Sequence, residues 1–104
     1  MRIDRDYLFS ALAGGIRINS INPILAPGAP GEREVADFVS AALASLGLSI
    51  QKFEPEPGRI SVAGTLKGSG GGKSLMLNAH YDTVGIEGME EPFSAATCQA
   101  LRHE

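Results

Sequence analysis

The architecture is written most plainly in residues 31–66, GEREVADFVSAALASLGLSIQKFEPEPGRISVAGTL. Val35, Phe38, Val39, Ala42, Leu43 and Leu46 fall at i, i+3, i+4, i+7, i+8 and i+11, one continuous apolar stripe along a helix. Glu32 and Glu34 lie in the first turn, where the positive end of the helix dipole favours them. Gly47 supplies the stop. Leu48 to Phe53 then alternates as a strand, Pro55-Glu56-Pro57-Gly58 turns, and Ile60 to Leu66 runs back. The stripe needs a surface to cover, and the adjoining strands provide it.

Upstream, residues 4–18 read as a first helix. Asp4 and Asp6 favour its positive end, and Leu8, Ala11, Leu12 and Ile16 recur at helical spacing. The apolar run Tyr7 to Ala13 is too short and too acidic at its head for a secretory leader. Asn19-Ser20-Ile21-Asn22-Pro23 ends this helix, and Pro23, Pro27, Gly28, Pro30 and Gly31 make a stiff loop. Downstream, Gly68-Ser69-Gly70-Gly71-Gly72 reads as an exposed hairpin tip, and Ser74 to Ala79, with Leu75-Met76-Leu77, as a buried interior strand. The order α-α-β-β-β predicts an α/β fold: a partial α/β sandwich with two N-terminal helices and a mixed sheet.

Composition narrows the function. The 104 residues carry nine Lys and Arg against twelve Asp and Glu, a formal charge of −3 without long runs. Such a chain has no surface to track a nucleic-acid backbone. No apolar stretch approaches the ~20 residues of a membrane span. The single cysteine, Cys98, excludes an internal disulfide framework and fits a reducing, cytoplasmic setting. One small domain is expected, with about 60–65% of its unfolded surface buried at this size.

Gly68-Ser69-Gly70-Gly71-Gly72-Lys73-Ser74 invites reading as a phosphate-cradling loop. Counting back five from Gly72 lands on Lys67, so the spacing is one residue short, and the following residues read as a strand where such a loop must open a helix. A solvated turn fits better.

Chemistry gathers in Leu75-Met76-Leu77-Asn78-Ala79-His80-Tyr81-Asp82-Thr83-Val84. A histidine at the carboxyl end of a buried strand points into the crevice where open α/β sheets bind ligands. Asp82 lies two residues on, so in extended geometry its side chain emerges beside the imidazole. A carboxylate there fixes the tautomer of a metal-bound histidine and raises its basicity. The pair alone, without further context, is more often a structural hydrogen bond than a metal site.

The surrounding residues resemble the start of the zinc metallohydrolases that include acetylornithine deacetylase, succinyl-diaminopimelate desuccinylase, aminoacylase and carboxypeptidase G. That family's Ser-x-Asn-Pro is matched by Ser20-Ile21-Asn22-Pro23 and its Gly-Glu-x-Glu by Gly31 to Glu34. Its Arg-x-Asn-Val strand is matched by Arg59-Ile60-Ser61-Val62, with Ser61 replacing the asparagine. Its Asn-Gly/Ala-His-x-Asp-Thr-Val is matched by Asn78 to Val84, and its Pro-Phe by Pro92-Phe93. The similarity runs in order from about residue 5 to 95, and its specific part is the His-x-Asp-Thr-Val block. It implies the first part of a zinc-exopeptidase-like catalytic domain, over residues 1–95. It also implies a pair of zinc ions hydrolysing the amide bond of N-acyl amino acids or peptides through a metal-bound water. His80 would be a ligand of one zinc, Asp82 would orient the site from behind it, and the loop Gly85 to Phe93 would lie close to the metal crevice.

The family continues with further acidic ligands, a glutamate base and a distal histidine that have no counterpart after Ala95. Residues 96–104 instead hold Cys98 and His103 in no recognised zinc spacing, and they read as an aberrant or disordered tail left by a reading-frame break. The expectation is a truncated metallohydrolase with at most one weak zinc site, inactive by itself. An alternative is a small binding module whose unfinished sheet leaves an edge and an apolar face open to a protein partner or to self-association.

Overall fold

The computed structural model describes residues 2–97, and the candidate ligands Cys98 and His103 lie outside them. Asp4 caps the first helix, α1 (Arg5–Ile16), by accepting from the Tyr7 amide at 3.0 Å. The second helix, α2 (Arg33–Ser45), follows the proline-rich loop and begins with Glu34 in its first turn. Two strands, β1 (Ser49–Glu56) and β2 (Arg59–Thr65), pair antiparallel, with Ser49 opposite Thr65 and Phe53 opposite Ser61. The described chain is thus a mixed α/β arrangement of two helices and a two-stranded antiparallel sheet.

The hairpin closes on Pro57-Gly58, where the ring presets φ at the first turn position and Gly58 takes φ +79° at the second. The register slips between Phe53 and Glu56, and Glu54 accepts from the Gly58 amide at 2.9 Å across that irregularity. This contact, followed by the nearby Arg33 guanidinium, holds the exposed Glu54 carboxyl below its usual range.

Helix α2 lays its stripe on the hairpin. Val35, Ala36 and Ile60 are buried there, and Ile21 joins them from the loop after α1. Gly64 keeps the approach open: a Cβ on it would sit 2.9 Å from Leu48 Cδ2 and 3.0 Å from Leu43 Cδ1. Helix α1 meets α2 where Gly14 faces the Phe38 ring, so close that a Cβ would come within 2.7 Å of Cζ. The predicted apolar face of α1 is otherwise uncovered, and Leu8, Leu12 and Ile16 are all exposed. The spacing fixed the helix and not its burial, because nothing among the described residues lies against that side.

Two expectations are corrected downstream of β2. Ser74 to Ala79 forms no strand, and Leu75, Met76 and Leu77 stand 86%, 84% and 88% exposed. An interior strand requires ladders on its flanks, and no described strand lies beside this one. The mixed sheet is therefore absent from the described residues, and Gly68 to Gly72 bends in solvent without bridging two strands. Among the described residues the one parallel contact is an isolated bridge, Ile21 to Thr83, made by Asn22 N to Thr83 O (2.9 Å) and Thr83 N to Ser20 O (3.0 Å).

Candidate functional site

That bridge carries the site. It zips the end of the α1 loop to residues 81–83, and Ser20 Oγ adds a bond to Tyr81 O at 2.8 Å. On the other side the Tyr81 hydroxyl donates to Ile60 O, so residues 78–82 are strung between the loop and β2. The space between them is an open groove of about 560 Å³, walled by Ile60, Ser61 and Val62 on one side and Asn78 to Asp82 on the other.

His80 and Asp82 come together in this groove, as their spacing suggests, although no strand places them. His80 Nδ1 lies 3.0 Å from Asp82 O and 3.3 Å from Asp82 Oδ1. A main-chain carbonyl only accepts, so in the neutral ring Nδ1 carries the proton and Nε2 the lone pair. The ring is 86% exposed, whereas the Asp82 side chain is largely covered. The second carboxylate oxygen, Oδ2, accepts from Asn22 Nδ2 at 2.9 Å.

In the wall of the groove, Glu32 and Arg59 form an ion pair. Arg59 Nε lies 2.9 Å from both carboxylate oxygens, and Glu32 is buried to 4% exposure. That bond raises the guanidinium above its ordinary value, with the charges of Glu32 and Asp82 adding to the effect. The pair ties the start of α2 to β2. Removing Arg59 would leave the covered Glu32 carboxylate without its counter-charge.

Sequence patterning marks Asn22, Glu32 and Arg59 as motif matches without assigning them contacts. Ser20 and Tyr81 go unnoticed as clamps. Their bonds cross 21 to 61 residues of chain, so no local spacing encodes them. The segment Gly85 to Phe93 does not line this groove; Gly85, Ile86 and Glu87 pack instead by the turn at Ala26 to Pro30. Gly68 to Ser74 opens no helix, which leaves the phosphate-loop reading without its geometry.

Zinc held by protein needs at least three donors. Among the described residues no group of three or more His, Cys, Asp and Glu side chains is placed to hold an ion. What they offer is one imidazole nitrogen with its tautomer fixed, which suits a single ligand and falls short of a centre. No helix of the described residues is long and apolar enough to cross a membrane. Comparison with protein families, characterised proteins and solved structures finds no match to this chain.

Proposed function

We propose that the chain carries the His-x-Asp portion of a zinc-dependent amidohydrolase site, of the class that cleaves the amide bond of N-acyl amino acids or peptides. The observation behind this reading is the imidazole of His80, its Nδ1 held by Asp82 and its Nε2 left with the lone pair. A metal-ligating histidine is commonly held in this way, with the nitrogen remote from the metal bonded to a carboxylate or carbonyl. The motif series from Ser20 to Phe93 supplies the family, and the lining of the groove by matched motif residues is consistent with it. Among the described residues no group of three or more His, Cys, Asp and Glu ligands is assembled, and on this reading the isolated chain is expected to be inactive.

Imidazole nitrogen NMR during zinc titration tests this reading. Zinc should move the His80 Nε2 resonance while Nδ1 keeps its proton, and Asp82→Asn should weaken the effect by about 10–100-fold. A His80 ring that ignores zinc, or one that takes it on Nδ1, overturns the reading. Chelator-sensitive hydrolysis of N-acetyl amino acids by the pure chain would show instead that a complete centre is present.

The exposure of Leu75, Met76 and Leu77 favours a second reading, a binding module that docks this apolar run against a protein surface. A monomer whose run stays solvated, and that binds zinc through His80, argues against it.

A further inference from the structure

The geometry points to Asn22 as the positioning residue that aims Asp82 at His80, a role that gains its purpose from the metal-ligand reading of His80. Asn22 is 60 residues from Asp82 in sequence, and the Ile21–Thr83 bridge and the Ser20–Tyr81 bond bring them together.

The orientation of the Asn22 amide follows from its contacts. Its Oδ1 accepts from the Ile24 backbone amide at 2.8 Å, and a backbone N–H can only donate. The other end is therefore the NH₂ group, and Nδ2 donates to Asp82 Oδ2 at 2.9 Å. That leaves Oδ1 of the carboxylate turned toward His80 Nδ1, at 3.3 Å. The result is a relay from Ile24 N–H to Asn22 and from Asn22 Nδ2 to the Asp82 carboxylate, which His80 meets from the other side: its Nδ1 bonds the Asp82 main-chain O at 3.0 Å and faces Oδ1 at 3.3 Å. Occupying Oδ2 removes the rotation by which the carboxylate would turn away, so Oδ1 stays facing the His80 ring.

The rival account is structural: Asn22 merely holds the turn at Pro23 through its bond to Ile24, and the backbone oxygen of Asp82 alone fixes the imidazole. Asn22→Ser separates the two. Serine keeps an oxygen able to accept from the Ile24 amide, but it cannot reach Asp82. The readout is the position of the ring proton in neutral His80, observed in the metal-free chain by imidazole nitrogen NMR. Backbone amide spectra of Ser20, Asn22 (or its replacement) and Thr83 report the bridge.

The wild-type ring should carry its proton on Nδ1. In Asn22→Ser the ratio of Nδ1–H to Nε2–H tautomer should fall on the order of tenfold with the bridge amides in place, as expected for loss of one charge-assisted bond. An unchanged ratio overturns the inference and assigns the ring to the Asp82 carbonyl. A ratio that falls only together with the bridge amides also overturns it, since Asn22 then acts by holding the chain. Asn22→Asp is the second variant: it keeps the oxygen for Ile24, replaces the donor by an acceptor facing Asp82, and should disturb the ring at least as much. Because no metal enters these measurements, Asn22 can prove to be the positioning residue even if zinc never binds His80.

Discussion

Tyr81 joins the two walls of the groove through a single hydroxyl. Its bond to Ile60 O fixes the spacing between β2 and the segment bearing His80. Burial raises the phenol above its ordinary value, and the negative charge of Glu32 raises it further. The folded chain therefore holds this proton more tightly than the unfolded one. The associated stability is complete below pH 10.0, the ordinary tyrosine value, and is lost as pH rises through the higher folded value. Tyr81→Phe should lower stability at neutral pH by about 1 kcal/mol, the net worth of one hydrogen bond. It should also flatten the alkaline decline, and urea midpoints taken on both sides of pH 10.0 would check both effects. At this scale the sequence was informative about neighbours. His80 and Asp82 sit two apart and meet, while Asn22, Ser20 and Ile60 reach them across long stretches that no periodicity marks.

Among the elements, the decisive joint is the one between the loop, α2 and the hairpin turn. Gly31 sits there with φ +78°, donating to Ile21 O at 3.2 Å, and a Cβ on it would lie 2.6 Å from Gly58 O. The next amide, of Glu32, donates to that same Gly58 oxygen at 3.0 Å. Gly31→Ala thus meets a backbone clash and an unfavourable φ together, and should cost roughly 2 kcal/mol or more in thermal or urea unfolding. Because Glu32 is the next residue, the variant should also disturb its pair with Arg59, visible as a changed guanidinium resonance. The Gly-Glu step was legible as the opening of a helix. That its glycine also admits a distant turn was not, because close backbone approach leaves no mark in the pattern of apolar residues.

The whole molecule is short of cover. Its accessible surface is 8935 Å², against about 5,600 Å² for a compact chain of 10.9 kDa. Ile21, Val35, Ala36 and Ile60 are the buried apolar residues among those described, whereas Leu75, Met76 and Leu77 lie open in an extended segment. Such a surface should draw copies together as concentration rises. Leu75→Lys with Leu77→Lys should reduce that association in sedimentation velocity without altering the α2–hairpin core, since neither side chain packs on it. The sequence by itself determined α1, α2, the hairpin and the adjacency of His80 and Asp82, because helical spacing, strand alternation, capping and turn chemistry are all local. Tertiary structure alone decided which apolar faces are covered. It also decided that residues 74–79 have no ladder, that Glu32, Arg59 and Tyr81 line the groove, and that Asn22 reaches Asp82. Burial and long-range hydrogen bonds depend on what the rest of the fold brings alongside, and a residue's near neighbours in sequence carry no record of that.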